Sequence, residues 1–344
     1  MTIRERVGDA VRDLAPVYFA VVMASGAISI AAHEAGIAYV SDALYVIAAA
    51  AYAVLLVMTV LRVVAYPGQV LADARNPRRS FGFFTLVAGS CVLADRFVVA
   101  GLDALAYVLL IASGAVWLVL GYLLPWLALA RRDEHSAHEQ ADGSWFIWAV
   151  ASQAVAVLAA TLEPSAGASQ HALAFLGFVA WAVGCFLYVC AVVLVGLRLV
   201  LYDVSPEDLS PSYWVAMGAA SITVLAGVRV ADMRTDVIVS VVHDLATGVS
   251  MMFWAFATWL FPALVAAGWW RHRVHSVPLS YEPGLWSMVF PLGMYSLASL
   301  SLGDGAGLDW IAAIGRGELW FALVVWALVA LAMARHLFAR RNAP

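Results

Sequence analysis

The sequence predicts an all-α integral membrane protein with ten transmembrane helices. Of its 344 residues, 64% are hydrophobic and only 12% are charged, whereas soluble domains carry about 25% charged residues. The mean hydropathy is +0.88. Alternating apolar and polar strands, the pattern of a membrane β-barrel, are absent from the sequence. This composition excludes a soluble enzyme, a nucleic-acid-binding domain and a disordered scaffold.

Ten apolar runs are each long enough to cross a bilayer as a helix, which takes about 20 residues. They are 16–36, 43–65, 81–100, 103–130, 145–162, 170–201, 212–230, 237–268, 284–302 and 319–338. The polar connections between them are too short for a further soluble domain. We therefore expect one transmembrane transporter or channel domain over residues 1–344, with a short N-terminal segment 1–15 and a C-terminal segment 339–344.

The arginines predict the orientation of these spans. If the N-terminus is cytoplasmic, 15 of the 19 basic residues fall on the cytoplasmic side. The other four are Arg96, Arg229, Arg234 and Arg316. This asymmetry satisfies the positive-inside rule. We expect a multi-pass protein of the plasma membrane with both termini in the cytoplasm.

The small polar residues divide the runs into two classes. The odd-numbered runs contain thirteen serine and threonine hydroxyls, and the longer even-numbered runs contain six. Such groups either allow helices to pack closely or line a wet path. Their alternation favours five helical hairpins around a central pore, with the odd helices inner and the even helices outer.

Ionisable residues inside a membrane usually mark a functional site. His243 and Asp244 in the eighth run are the deepest candidates, and they either couple transport to protons or bond to neighbouring helices. Arg96, beside Asp95, and Arg229 lie at the outer ends of the third and seventh runs. They either form interfacial ion pairs or attract anions to an outer mouth.

No cofactor or metal is expected. Cys91, Cys185 and Cys190 lie in apolar runs without metal-binding spacing, and no histidine pair is placed to hold a haem. No phosphate-binding glycine loop is present. The formal net charge of −4 gives no basic surplus for nucleic acid. These features favour a channel or transporter embedded in the lipid bilayer over an enzyme.

Three segments resemble one family of membrane proteins. The first is Leu14–Gly26 (LAPVYFAVVMASG), the second is the arginine-rich loop Asn76–Ser80 with Phe81–Thr85 after it, and the third is Leu285–Tyr295 (LWSMVFPLGMY). Together with ten spans, they are similar to the tellurite-resistance/C4-dicarboxylate transporter family. That family includes bacterial tellurite-resistance permeases, fungal malate permeases and plant slow-type anion channels.

The resemblance implies a homotrimer in which each protomer has its own pore. It also implies a phenylalanine gate on the ninth span, at the position of Phe290. Pro291 removes a backbone donor and kinks the helix there, which can turn the Phe290 ring toward the axis. The alternative is that Phe290 only packs between helices.

The hydroxyl pattern and the resemblance together predict a set of pore-lining residues. They are Ser25, Gly26, Phe84, Thr85, Gly89, Ser152, Gly218, Ser221, Gly293 and Ser296. No buried arginine lies in the middle of a span, where a tight dicarboxylate site would need one.

The leading functional hypothesis is transport of small anions through a phenylalanine-gated pore in each protomer. The anions are either inorganic, such as chloride and nitrate, or C4-dicarboxylates such as malate. The alternative is a proton-coupled C4-dicarboxylate or tellurite-resistance carrier. A membrane-embedded enzyme or redox subunit is a remote third possibility.

Overall fold

The computed structural model describes residues 3–129 and 140–342, and within them it contains helices and no strands. Ten helical segments are long and apolar enough to cross a membrane, which confirms the predicted fold class. Numbered spans 1 to 10 in chain order, they are Pro16–Glu34, Ala38–Ala65, Pro77–Val99, Asp103–Leu127, Gly143–Ser165, Gly167–Leu201, Pro211–Ala231, Val241–Val274, Pro283–Ala306 and Asp309–Ala339.

Near the start of every odd-numbered span a short 3-10 turn leads into a longer α-helix, and in span 3 the short helix Pro77–Ser80 precedes that turn. The turns are Pro16–Phe19, Phe81–Phe83, Gly143–Trp145, Pro211–Trp214 and Pro283–Leu285. The α-helices that follow are Ala20–Glu34, Phe84–Val99, Phe146–Leu162, Val215–Ala231 and Trp286–Ala306. Proline suits the first position of such a turn, because its fixed φ is helical and no backbone donor is needed there.

The even-numbered spans consist of longer single helices. These are Ala38–Ala65, Asp103–Leu129, Gln170–Leu201, Asp236–Trp269 and Asp309–Asn342. Short helices Ile3–Arg12, Pro67–Arg75 and Pro77–Ser80 lie on the face of the molecule where the odd spans begin, which we call the N-terminal face. Arg131 and Arg132, two of the arginines expected on this face, lie outside the described residues.

Span 10 begins ten residues earlier than the predicted run 319–338. The sequence Gly315-Arg316-Gly317-Glu318 lowers the local hydropathy, and hydropathy alone therefore predicts a loop at these residues. In the structure they continue the helix that starts at Asp309. Glu318 therefore lies within a span, and His243 and Asp244 are not the only deep ionisable candidates.

Burial alternates between the two sets of spans. In the most apolar stretch of each odd span, 72% to 89% of the residues are buried, against 11% to 33% in the even spans. Exposed residues of the even spans are mostly large and apolar, such as Val57, Ile111, Phe186 and Leu328. Lipid solvates such side chains, whereas water would not.

The odd spans also form a closed cycle of contacts. Span 1 packs against span 3, span 3 against span 5, span 5 against span 7, span 7 against span 9, and span 9 against span 1. Each odd span packs along the even span that follows it. The cycle defines a central axis, and we use this axis below to locate the site.

An aromatic residue on every even span bonds to the next odd span. The five bonds join Tyr52 to Ser90, Trp117 to Ser152, Tyr188 to the Ala216 carbonyl, Trp254 to Ser299 and Trp326 to Ser25, at 2.8 to 3.2 Å. Each bond buries a phenol or indole together with a polar partner, as membrane packing requires. The series ties the two sets of spans together at five places.

Replacing Trp117 with phenylalanine tests one of these bonds. The change keeps most of the aromatic area and leaves the Ser152 hydroxyl without its indole donor. Interhelical hydrogen bonds in membranes contribute roughly 0.6 to 2 kcal/mol. We expect a small decrease in thermal stability in detergent. The matched control is Trp126→Phe on the same helix, because Trp126 is exposed, and an equal decrease there would contradict this role for the bond.

A buried ion pair fixes the N-terminal face. Arg62, near the end of span 2, contacts Asp73 at 2.7 Å, and the side chains of both residues are only 6% exposed. Arg79 contacts the second Asp73 oxygen at 2.6 Å, and the Arg62 Nε donates to the Arg12 carbonyl. The carboxylate thus holds two arginines from separate segments.

Candidate functional site on the central axis

A cavity of about 180 Å³ opens on the axis at the N-terminal face. Its walls come from the beginnings of all five odd spans and from the segments that precede them. We call it the vestibule; its lining includes Pro16, Gly82, Ile147, Ser212 and Ser287. The five similar turns place small or polar residues around one opening, and these side chains are too short to fill it.

The charged residues around the vestibule are balanced in sign. Arg78 and Arg79 line it together with Asp142 and Glu282. Arg78 is also paired with Asp208 at 3.1 Å. The arginines thus do not give this opening a surplus of positive charge.

Within the vestibule, Asp142 is the acidic group best placed to respond to pH. It accepts hydrogen bonds from the Ser144 amide and hydroxyl and from the Ser212 hydroxyl. Burial nevertheless raises the pKa of the Asp142 carboxyl above its ordinary value, because the charged form loses water. As the pH falls through that raised pKa, Asp142 becomes neutral and the vestibule becomes more positive.

If anions enter through this opening, Asp142→Asn should increase their flux about two- to fivefold at pH 8, by removing a negative charge from the opening. At low pH the variant and the unmodified protein converge, since Asp142 is then neutral in both. Flux into proteoliposomes measured from pH 5 to 8 checks this. A variant with the same pH profile as the unmodified protein would contradict it.

A second, much smaller cavity lies on the axis toward the opposite face. Its volume is about 10 Å³, and residues of all five odd spans line it. They are Ile30, Cys91, Val92, Asp95, Ala154, Val157, Ile222, Leu225, Met294 and Leu297. Asp95 is the only charged residue among them, and the space is about that of one water molecule.

Phe290 lies between the two cavities along span 9. Ser287 lines the vestibule and Met294 lines the small cavity, so about 10 Å of helix separates them at 1.5 Å per residue. Phe290 is 1% exposed. A Cβ built on Gly218 would come within 3.2 Å of the ring and 2.8 Å of Pro291, so this glycine lets span 7 approach the ring closely.

The predicted pore-lining hydroxyls mostly bond to neighbouring helices. Ser25 and Ser152 accept from tryptophans of even spans. Thr85 and Ser296 donate to the carbonyls of Pro16 and Gly315. Ser221 donates within its own helix, to the Met217 carbonyl. None of the five lines either axial cavity.

The remaining predicted lining residues, four glycines and Phe84, are also buried. A Cβ on Gly26 would meet Val92, one on Gly89 would meet Phe19, and one on Gly293 would meet Ile28. These glycines, like Gly218, sit where two odd spans approach closely. Phe84 stacks on Phe81 at 6.2 Å between ring centroids.

The two arginines predicted at the outer mouth both have acidic partners. Arg96 is buried and contacts Asp42 at 2.8 Å, with further bonds to Ser29 and Ser41. Arg229 contacts Glu34 at 2.8 Å. Arg96 therefore ties spans 1, 2 and 3 together, and Arg229 lies near Asp95 at the end of the axis.

His243 and Asp244 are placed away from the axis. Their side chains are 53% and 105% exposed, and they contact each other at 3.2 Å. Sequence reasoning singled out these two and treated Asp95 as a partner of Arg96. The signal in the sequence that identifies Asp95 is its position one helical turn after Cys91, on the buried face of an odd span.

A larger cavity of about 570 Å³ lies off the axis. Spans 5 to 10 line it, and its walls are almost entirely apolar, including Tyr188, Phe256, Leu264 and Phe321. A cavity with so few polar groups suits hydrocarbon and would not stabilise an ion.

Comparison with known proteins gives the family. The sequence profile of the voltage-dependent anion channel family (SLAC1) matches residues 13–334. An uncharacterized membrane protein of Mycobacterium tuberculosis is 51% identical over 154 residues, which cover 45% of this chain and 78% of the relative.

A more distant relative matches over nearly the full length. An uncharacterized transporter of Methanocaldococcus jannaschii is 23% identical over 328 residues, 93% of this chain and 92% of the relative. A second transporter from that organism is 22% identical over 275 residues. Members of the matched family are channels and transporters rather than enzymes. With ten spans and a profile match across nearly all of them, the chain belongs to the voltage-dependent anion channel (SLAC1) family of membrane transport proteins.

Proposed function

We propose that this protein conducts small anions along its central axis and that Phe290 closes the path. The observation that supports this most strongly is the pair of axial cavities, each lined by all five odd spans, with Phe290 at the closed level between them. A ring across a narrow path excludes water, and an ion that crosses a constriction without water loses its hydration shell at a high cost in free energy.

The residues that line the axial cavities favour passage of small, weakly bound anions over tight binding of a dicarboxylate. Two carboxylate groups would need two fixed cationic partners, preferably arginines that bind in a bidentate manner. The cavity beyond Phe290 has room for about one water and contains no arginine. Chloride and nitrate are therefore our first candidates, and a C4-dicarboxylate such as malate is the second.

The cellular setting follows from the arginine distribution and the family. We propose that the N-terminal face is cytoplasmic, that the membrane is the plasma membrane, and that three copies assemble with one path in each. The exposed apolar surface of the even spans is available to lipid and to neighbouring copies. A tellurite-resistance role is part of the carrier alternative.

Thiol chemistry in the vestibule tests the path. In a chain whose three cysteines are replaced by alanine and which contains Phe290→Ala, Ser287→Cys places one thiol at the inner end of the vestibule. We expect an anionic methanethiosulfonate reagent to reduce chloride flux by more than about half, because the adduct fills the cavity.

The control for that experiment is Ser276→Cys in the same background. Ser276 is exposed in the connection before span 9, so its modification should leave flux unchanged. If modification at Ser287 leaves flux intact while labelling is complete, anions do not pass through the vestibule.

A further inference from the structure

Two carboxyl groups lie near one guanidinium at the end of the axis away from the N-terminal face. Glu34 of span 1 contacts Arg229 of span 7 at 2.8 Å, and the Ser301 hydroxyl of span 9 donates to the other Glu34 oxygen at 3.1 Å. Asp95 of span 3 lies close enough to interact electrostatically with both Glu34 and Arg229. The trio has one positive charge for two acids.

Asp95 is the less satisfied of the two acids. It is 4% exposed, it lines the small axial cavity, and its Oδ1 has no hydrogen-bond partner in the described part of the chain. The Arg229 Nε, also buried, likewise lacks a partner among the described residues. Asp95 therefore lines the small axial cavity and has a carboxylate oxygen without a partner in the described part of the chain.

The other groups packed around Asp95 offer no second positive charge. Span 5 contributes the Thr161 hydroxyl, span 3 itself the Cys91 thiol, and span 9 the apolar Met294 and Leu297. The neighbouring Arg96 is engaged with Asp42, Ser29 and Ser41.

Charge counting then identifies which acid takes up a proton. With Glu34 and Asp95 both ionised, the trio has a net charge of −1 in a buried setting, which is costly. Glu34 has the direct ion pair and the hydroxyl donor, and its side chain is 22% exposed. Its ionised form is satisfied, whereas that of Asp95 is not.

We propose that Asp95 binds and releases a proton on the anion path and that its charge state controls flux. Neutral Asp95 lets an anion pass from the small cavity to the mouth, and ionised Asp95 repels it. Flux then increases as the pH falls. This inference rests on the proposed anion path, and it places the proton site at Asp95 rather than at the exposed His243 and Asp244.

The test compares how chloride flux depends on pH in a chain from which Asp142, the other acid expected to respond to pH, has been removed. The parent contains Phe290→Ala, so that the path is open, and Asp142→Asn, so that the Asp142 carboxyl no longer titrates. Chloride flux into proteoliposomes is measured from pH 5 to 8 for this parent and for three derivatives with Asp95→Asn, Asp95→Glu or Glu318→Gln.

We expect parent flux to rise at least about fivefold from pH 8 to pH 5. Asp95→Asn should give high flux at every pH, and Asp95→Glu should keep the pH dependence with a displaced midpoint. Glu318→Gln is the matched control, since Glu318 is a partly buried acid with an unpartnered oxygen on span 10, outside both axial cavities. It should behave as the parent does.

Two results would overturn the inference. One is an unchanged pH profile in a correctly folded Asp95→Asn chain, and the other is a parent whose flux is independent of pH. If Asp95→Asn does not elute as folded protein in size-exclusion chromatography, the midpoint in Asp95→Glu decides, and an undisplaced midpoint contradicts the proposal. Absence of chloride flux at every pH in the parent would contradict the anion path itself.

Discussion

Replacing Phe290 with alanine is expected to increase chloride flux at least about tenfold, which corresponds to lowering the barrier by about 1.4 kcal/mol or more. On span 9, Phe290 lies between Ser287, which lines the vestibule, and Met294, which lines the small cavity, and we expect removal of its ring to join the two spaces. Flux of chloride, nitrate and malate into proteoliposomes, each with and without a proton gradient, measures the change.

The matched control for this experiment is Phe186→Ala. Phe186 lies in span 6 and is exposed on the outer surface of the described protein, so its removal should not alter flux. Phe290→Ala also removes a buried ring, which costs roughly 3 to 5 kcal/mol of stability, and folded protein must therefore be verified by size-exclusion chromatography. Equal flux in a folded Phe290→Ala chain and in the unmodified chain would show that the ring is not the closure.

The second large effect is expected at the N-terminal face. Asp73→Ala leaves the buried Arg62 without its carboxylate partner, and breaking such a pair costs roughly 3 to 5 kcal/mol. We expect a clear decrease in the midpoint of thermal unfolding in detergent. The reason is the desolvated guanidinium that remains, rather than the loss of attraction alone.

Two further chains make this prediction specific. Asp9→Ala removes an acid that pairs with Arg12 at an exposed site, and exposed pairs contribute about 0 to 1 kcal/mol. The double change Arg62→Met with Asp73→Leu removes both charges and should recover part of the stability. An Asp73→Ala chain as stable as Asp9→Ala would be incompatible with a structural role for the buried pair.

Much of the fold could be predicted because the bilayer imposes simple requirements on composition and length. Ten apolar runs give ten spans, and their ends agree to within a few residues for most of them. Span 10 is the exception, since Arg316 and Glu318 interrupt its hydropathy. Hydropathy reports transfer to lipid, and the helix continues there because its backbone bonds remain satisfied.

The site was less predictable, because hydroxyls serve packing as readily as they line a path. Ser25 and Ser152 were read as pore residues, and in the structure they accept hydrogen bonds from Trp326 and Trp117. The direction in which a serine points depends on helix rotation, which a uniformly apolar span does not specify. Asp95 was recognised as a charged residue, but its place on the axis depends on the contacts of five spans.

If Phe290 closes an anion path, anions rather than cations should cross the axis once its ring is removed. The most direct measurement is the reversal potential of Phe290→Ala in a planar bilayer under a tenfold KCl gradient. We predict a potential close to the chloride equilibrium value, about 59 mV in magnitude for a monovalent ion, and a decrease of the current by more than about half when a reagent modifies Ser287→Cys. A potential near the potassium equilibrium value, of opposite sign, or a current that is insensitive to modification of the vestibule, would contradict it.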